Sequence, residues 1–260
     1  MDLNRHNYHS HEANNEYMSR SLYGKFVDCE AGAVAYLKGW HEDKSKAFLV
    51  GSYVHAWSEG TLDEFKASNP ECYTKSNELR AEFRHADDMI RALESDPFAM
   101  FALEGQKEVV MTAELFGTKW KAMFDVYVPG KRITDLKTTK SIRELSWSPK
   151  HSRRVSFIEA YEYFTQVALY SEIERLNTGG DLLEFLMVAV SKESIPDKEV
   201  INLTDHDRVA EELAKIEGNM PRILAVKSGK VEPIRCGKCD YCRTTKQLSK
   251  TIYYRELEVG

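Results

Sequence analysis

The chain has 260 residues, of which 42% are hydrophobic and 30% are charged, and its formal net charge is −5. This length and composition are typical of a globular protein with one large domain, or one domain with an appendage. The negative charge argues against a protein that coats nucleic acid by bulk electrostatics, although a local basic groove could bind phosphates. The sequence has neither an apolar run long enough for a membrane span nor a secretory signal pattern, so we predict a cytoplasmic protein without a membrane partner.

The first hundred residues have a helical pattern. Apolar residues at three- and four-residue spacing predict helices over 18–40, 46–60 and 76–96, and Ser76 is the predicted cap of the third. Residues 1–17 are polar and rich in histidine, and they are predicted to form a flexible arm.

The apolar period then changes to that of strands. Three β-rich runs joined by Gly-Thr and Pro-Gly-Lys turns predict an antiparallel three-stranded meander over residues 106–139. A helix is predicted over 156–177, and the apolar run 182–192 is typical of a buried strand.

Two aspartates and a lysine interrupt the second and third runs of the meander. Asp135 and Lys137 lie two residues apart on one strand, so their side chains leave the same face. Asp125 lies on the preceding strand, and the step through the Pro-Gly turn can bring its carboxylate beside Asp135. Two converging carboxylates are costly to desolvate unless a cation lies between them, and Mg²⁺ (or Mn²⁺) fits oxygen ligands. An exposed salt bridge on a hairpin is the alternative.

Four short motifs occur in a characteristic order: GxxxH (Gly51, His55), a Gly-then-Asp strand (Gly117, Asp125), DxK (Asp135, Leu136, Lys137) and QxxxY (Gln166, Tyr170). In order and spacing they resemble the RecB-like branch of the PD-(D/E)XK nucleases. The chain is similar in particular to phage-encoded RecE-type exonucleases, also called exodeoxyribonuclease VIII-like. The resemblance covers residues 18–250 and implies an α/β fold, a central mixed sheet flanked by helices, which agrees with the predicted order of elements.

The resemblance also implies domain boundaries. One RecB-like nuclease domain is expected over residues 18–260. It would consist of a helical part (18–105), a catalytic core (106–192) and a C-terminal helical, cysteine-bearing segment (193–260).

The resemblance implies a role for each motif residue. His55, Asp125, Asp135 and the main-chain carbonyl of Leu136 match the Mg²⁺ ligands of the family, and Lys137 matches its catalytic lysine. Gln166 and Tyr170 match the motif that lies beside the active site and contacts the DNA strand. Glu114 lies near a position where some relatives carry an accessory acid.

The activity implied by the resemblance is Mg²⁺-dependent hydrolysis of linear double-stranded DNA from its ends, 5′ to 3′, in phage-type homologous recombination. It further implies a single-strand annealing protein as partner, a homo-oligomeric ring, and a phage or prophage gene expressed in a bacterial host. Two alternatives stay open: a single-strand or structure-specific nuclease of the CRISPR-adaptation type, and a non-catalytic, metal-stapled DNA-binding module.

Cysteines near the C-terminus form a second group with the pattern CxxCxxC: Cys236, Cys239 and Cys242. Thiolates at this spacing indicate metal ligation, and Cys29 is the candidate for a fourth ligand. Several RecB-like nucleases resemble this plan, with one early and three late cysteines around a [4Fe–4S] cluster. Zinc, with Cys29 or His41 as the fourth ligand, and unbound cysteines are the alternatives.

The segment that follows the DxK motif, residues 137–154, is strongly basic. We predict that its cationic side chains bind DNA phosphates and that Trp147 is a stacking platform for a base. The predicted phosphate contacts are Lys140, Arg143, Lys150, Arg153 and Arg154.

Overall fold

The computed structural model describes residues 1–41 and 46–257. The helices are α1 (His11–Glu16), α2 (Arg20–Asp28), α3 (Glu30–Leu37), α4 (Lys46–Glu59), α5 (Leu62–Ser68), α6 (Ala81–Glu94), α7 (Pro97–Ala102), α8 (Phe157–Ala160), α9 (Tyr163–Thr178), α10 (His206–Lys227) and α11 (Asp240–Thr244). The strands are β1 (Gln106–Leu115), β2 (Thr118–Val128), β3 (Arg132–Thr139), β4 (Ser146–Ser148), β5 (Arg153–Val155), β6 (Glu184–Ser191) and β7 (Lys198–Asn202).

A five-stranded mixed sheet in the order β1-β2-β3-β6-β7 forms the centre of the fold. Strands β1, β2 and β3 form the predicted antiparallel meander, and β6 runs parallel to β3. The sheet and its flanking helices confirm the predicted α/β class. The sequence analysis missed β7, a half-buried edge strand antiparallel to β6, because its five residues lack a strong apolar alternation.

The turn between β1 and β2 fixes the register of the meander. Phe116 and Gly117 both have positive φ, +50° and +78°, which is the requirement of a two-residue hairpin turn of type I′. The pairs on either side of Glu108 are Lys107 with Val126 and Val109 with Phe124, so Glu108 lies opposite Asp125.

Two of the predicted helices are interrupted in the structure. The helix expected over 18–40 consists of α2 and α3, because the sulfur of Cys29 accepts a hydrogen bond from the Gly32 N–H and caps α3. The helix expected over 156–177 is divided into α8 and α9 at Glu162, which has a φ of +53°.

The predicted cap of the third helix is wrong. Helix α6 begins at Ala81, since the chain before it forms a turn in which Tyr73 pairs with Leu79. Ser76 lies within this turn and its hydroxyl contacts that of Thr74.

The described chain forms two compact units, each made of two stretches of sequence. The first comprises the described residues of Met1–Arg20 and Asp43–Met220, and the second those of Ser21–Glu42 and Pro221–Gly260. The predicted boundaries at 105 and 192 therefore do not separate compact units. Within residues 1–41 and 46–257, no helix combines the length and apolar character that crossing a bilayer requires.

The core of the first unit lies between the helices α4, α6 and α7 and one face of the sheet. Tyr53 and Phe83 from the helices pack with Leu136 and Val188 from neighbouring strands, and all four are at most 2% exposed. Leu136 points into this core, so its neighbours Asp135 and Lys137 leave the opposite face of β3.

The flexible arm predicted for residues 1–17 is wrong, because this segment packs on strand β2. Ala13 and Tyr17 are buried, and Ser10 caps α1 by accepting a hydrogen bond from the Ala13 N–H. Met18 then exchanges main-chain hydrogen bonds with the residues on either side of Trp120. The polar composition of residues 1–17 favoured a flexible arm. In the structure, the burial of Tyr8 and Tyr17 and the cap at Ser10 hold the segment in place.

Candidate active site

The two aspartates of the meander face each other across β2 and β3. Strands β2 and β3 are antiparallel and pair Val126 with Thr134. Continuing this register by one residue on each strand places Asp125 opposite Asp135. Asp125 Oδ2 accepts a hydrogen bond of 2.8 Å from the Leu136 N–H and lies 3.5 Å from His55 Nδ1. Because the N–H and C=O of one strand residue point to the same side, the Leu136 carbonyl faces the same gap.

Asp135 is the most enclosed of the acidic groups, with 3% of its surface exposed. Its Oδ1 accepts a hydrogen bond of 2.6 Å from Gln166 Nε2, and its Oδ2 lies 2.7 Å from Lys137 Nζ. No described residue gives that Oδ2 a well-directed hydrogen bond, so a lone pair remains for a cation. Burial raises the pKa of Asp135, and the negative charge of Asp125 raises it further.

Lys137 is held as a cation by the carboxylates around it. Burial alone would lower the pKa of its ammonium, but the charges of Asp135 and Asp125 outweigh burial and the pKa is raised. The Nζ atom also lies over the ring of Tyr163, 5.5 Å from its centroid. Lys137 therefore supplies a fixed positive charge and is unsuited to accept a proton.

Helix α4 brings His55 to the site, and Gly51 allows the helix to approach the sheet. A Cβ atom at Gly51 would lie 3.3 Å from the Thr138 hydroxyl, which is closer than most Cβ contacts. The glycine of the GxxxH motif therefore serves the packing of α4 on β3. The imidazole one turn later reaches Asp125, as the motif predicts.

The QxxxY motif lies on α9 next to the acidic pair. Gln166 is 9% exposed and its amide is engaged by Asp135. The Tyr170 ring packs on Phe124 with 5.3 Å between centroids, and burial raises the pKa of its hydroxyl. In this structure Gln166 positions a carboxylate, and its predicted contact with DNA stays a prediction, as does that of Tyr170.

Glu108 is an acidic residue of the site that the sequence analysis missed. It lies opposite Asp125, and burial, followed by the charges of Glu59 and Asp125, raises its pKa to about 8. Glu114, the residue considered instead, lies at the far end of β1 opposite Lys119. The observed Phe116-Gly117 turn fixes which residue of β1 faces Asp125, whereas the Gly117-Thr118 turn predicted from the sequence would have placed Val110 there.

The donor set of this face suits a hard divalent cation. Carboxylate and carbonyl oxygens are the ligands that Mg²⁺ and Mn²⁺ prefer, and the unsatisfied Asp135 Oδ2 is a buried acceptor. The charges of Glu59 and Asp125 add to burial in raising the pKa of Glu108, so negative charge is concentrated in this part of the cleft. Among the described residues, the ligand atoms of His55, Asp125 and Asp135 do not all come within 4.8 Å of one another, so this set is looser than the cysteine group.

The four predicted cysteine ligands come together in the second unit. The Sγ atoms of Cys29, Cys236, Cys239 and Cys242 all lie within 4.8 Å of one another. The Sγ atoms of Cys29 and Cys242 are 3.5 Å apart, and those of Cys236 and Cys242 are 3.9 Å apart. Hydrogen bonds from the N–H groups of Cys239 and Lys238 lower the pKa of the Cys236 thiol to about 6, which favours the thiolate that a metal requires.

The alternative fourth ligand, His41, and the fifth cysteine, Cys72, are not part of this group. The His41 ring packs edge-on against Tyr36 at 5.2 Å, and the cysteine group is complete without it. Cys72 is a buried core residue of the first unit.

The predicted phosphate-binding residues fall into two sets. Lys140 pairs with Glu144, Arg143 with Asp197 and Glu199, and Lys150 with Glu162, so carboxylates of the protein already contact these three. Arg153, Arg154 and Trp147 lie on the β4–β5 hairpin, where Trp147 is opposite Arg154 and is 64% exposed. The hairpin, and not the whole basic segment, is therefore the candidate DNA-contacting surface.

The mixed sheet with an aspartate pair and a lysine on adjacent central strands defines the PD-(D/E)XK class of nuclease domains. The chain belongs to the family described as a PDDEXK-like domain of unknown function (DUF3799), whose model matches residues 19–245. Comparison with curated proteins gives no match.

A solved structure extends this likeness over the whole chain. The crystal structure of a protein from Eubacterium rectale, described as a "Putative exonuclease", is similar with a TM-score of 0.95 and 44% sequence identity. The alignment covers 100% of this chain and 99% of that one. Both comparisons agree with the RecE-type resemblance of the motifs.

Proposed function

We propose that the chain is a metal-dependent DNA exonuclease that degrades linear duplex DNA from its ends. The observation that carries this proposal is the opposed pair Asp125 and Asp135, with the ammonium of Lys137 2.7 Å from the second carboxylate. Membership of a PDDEXK-like family and the likeness to a protein described as an exonuclease support it.

Magnesium or manganese would be held by Asp125, Asp135, the carbonyl of Leu136 and His55. Bound there, the ion supplies a Lewis acid for the scissile phosphate and lowers the pKa of a bound water.

The residues of the chain hold this arrangement and supply charge. The Gln166 amide fixes one oxygen of Asp135, and the Leu136 N–H fixes one oxygen of Asp125. Lys137 remains protonated at neutral pH, so it orients the attacking water and stabilises the negative charge that develops on the phosphate. The products would be a 5′-phosphate and a free 3′-hydroxyl.

The resemblance to RecE-type exonucleases supports a finer proposal. It comprises 5′ to 3′ digestion, a role in phage-type homologous recombination in the host cytoplasm, a single-strand annealing protein as partner, and a ring of subunits. The motifs and the family membership support these features. No contact described within the chain bears on them.

A comparison of DNA forms tests the proposed activity. We expect end-labelled linear duplex to be degraded with magnesium and to survive with chelator, while the same DNA as a closed circle survives both. Degradation of single strands alone would favour the CRISPR-adaptation type of nuclease. Binding of DNA without cleavage in magnesium or manganese would favour the non-catalytic module.

The hairpin offers a separate prediction about DNA binding. Reversing two exposed charges in the double variant R153E/R154E is expected to weaken duplex binding about equally for all sequences. The slope of log affinity against log salt should fall by about 2, since each lost phosphate contact removes about 0.9. Fluorescence anisotropy at several salt concentrations measures both quantities.

The matched control is the double variant R84E/R91E on helix α6, which changes the net charge by the same amount. Both arginines are exposed and make contacts within that helix or beside it. Equal losses in the two double variants would mean that only the total charge matters, and would remove the hairpin from the interface.

We further propose a resident metal at Cys29, Cys236, Cys239 and Cys242. A single tetrahedral zinc with Zn–S bonds of about 2.3 Å places its sulfurs about 3.8 Å apart. A [4Fe–4S] cluster binds each cysteine at a different iron, so its sulfurs stand further apart. The observed separations, which include 3.5 Å and 3.9 Å and are all within 4.8 Å, favour the single ion.

A further inference from the structure

The N-terminal segment borders the same cleft as the acidic pair. A cavity of about 530 Å³ in the first unit is lined by His55, Glu108 and Asp125 of the acidic site and also by Arg5 and His6. A cavity of this size accommodates roughly one nucleotide.

A buried lysine fixes the segment to the sheet at this point. Lys121 on β2 is 1% exposed, and its Nζ lies 2.5 Å from the main-chain oxygen of Tyr8 and 2.8 Å from Asn14 Oδ1. The Tyr8 hydroxyl donates in return to the Lys121 carbonyl at 3.3 Å. A buried ammonium is costly without such partners, so the position of the segment is set by the core.

A tight turn presents the two basic side chains to the cleft. The Asn4 N–H donates to Asn7 Oδ1 at 2.8 Å, and the His6 N–H donates to Asn4 Oδ1 at 3.0 Å. Arg5 and His6 are both exposed, and Arg5 Nε donates to His6 Nε2 at 3.3 Å. The guanidinium and the imidazole therefore form one donor group on the wall of the cavity.

We infer that Arg5 and His6 bind a phosphate of the substrate strand next to the scissile phosphate. The acidic residues of the lining can hold the scissile phosphate only through a cation, whereas the planar guanidinium of Arg5 offers paired donors that match phosphate oxygens. One nucleotide in the cavity would connect the two phosphates. This inference rests on the proposed nuclease function and assigns a substrate contact to the segment expected to be a free arm.

The variant R5A/H6A tests the contact, with H11A as the matched control because His11 lies on α1 and does not line the cavity. Binding of a labelled duplex is measured by anisotropy with calcium in place of magnesium, so that binding is separated from cleavage. We expect Kd to rise about 10-fold and the salt slope to fall by about 1 in R5A/H6A. In cleavage assays KM should rise with kcat nearly unchanged. R5K, which keeps the charge but not the paired donors, should keep the wild-type salt slope and lose part of the affinity.

A modified substrate locates the contact. Single phosphates near the cleaved end are replaced, one at a time, by neutral methylphosphonates. Only the replacement of the phosphate next to the scissile one should weaken binding by the wild type. The same replacement should have no effect on binding by R5A/H6A. Cleavage by the wild type with unchanged Kd and salt slope in R5A/H6A would overturn the inference and leave the nuclease function intact. Arg5-dependent binding without cleavage would support the contact and overturn the function, and a wild type that neither binds nor cuts would overturn both.

Discussion

Replacing Lys137 with alanine is expected to lower the rate of magnesium-dependent degradation of linear duplex by about 10²- to 10³-fold, the usual effect of removing one preorganised charge from an active site. The physical reason is that its ammonium lies 2.7 Å from Asp135 Oδ2 and remains charged beside two carboxylates. Release of end-labelled nucleotides under single-turnover conditions measures the chemical step directly.

The control for this substitution is Lys131→Ala, which removes an exposed lysine from the turn before β3 and leaves the site unchanged. K131A should unfold like the wild type, because its ammonium is exposed. K137A removes the cation 2.7 Å from the buried Asp135 carboxylate, so thermal unfolding and far-UV circular dichroism must show that this variant is folded at the assay temperature. If K137A degraded duplex at the wild-type rate, Lys137 would be no more than the partner of a structural ion pair, and the proposed site would be wrong.

The meander was predictable from the sequence because local chemistry determines it. The Phe116-Gly117 and Pro-Gly-Lys turns set the strand pairing, and alternation then places Asp125, Asp135 and Lys137 on one face. The Gly117-Thr118 turn predicted from the sequence would set Val110 opposite Asp125, whereas the observed Phe116-Gly117 turn shifts the register and places Glu108 there.

The N-terminal segment was not predictable in this way. The segment contacts Lys121, which is more than one hundred residues away in sequence. No local sequence pattern predicts that the ammonium of Lys121 is buried and needs hydrogen-bond acceptors from this segment. The internal pairing of Arg143 with Asp197 and Glu199 has the same origin, since a basic run does not show which acids the fold brings near it.

The spacing of the cysteines predicted which residues form the cysteine group. CxxCxxC predicted three ligands and Cys29 the fourth, and the structure brings all four sulfurs together. The spacing pattern does not explain why Cys29 lies beside the other three. In the structure Cys29 is the residue before α3, and its sulfur accepts the Gly32 N–H as a helix cap, so helix formation itself orients the sulfur.

Removing one ligand of this group is expected to unfold the second unit. The free energy of binding a structural zinc is about 10–16 kcal/mol, and much of it is folding free energy because the site does not exist in the unfolded chain. In Cys242→Ala, where the missing sulfur is 2% exposed, we expect bound metal to fall from about one per chain to none. Hydrogen exchange should then show lost protection in α2, α3 and α11.

Cys72→Ala is the matched control, because Cys72 is equally buried but lies in the core of the first unit, away from the cysteine group. It should keep the metal and cost about 1 kcal/mol or somewhat more, as expected for a small core truncation. Elemental analysis decides between one zinc and several irons, and iron would also give the protein visible colour. A metal-free wild type whose second unit keeps its protection in chelator would mean that packing alone holds the sulfurs together.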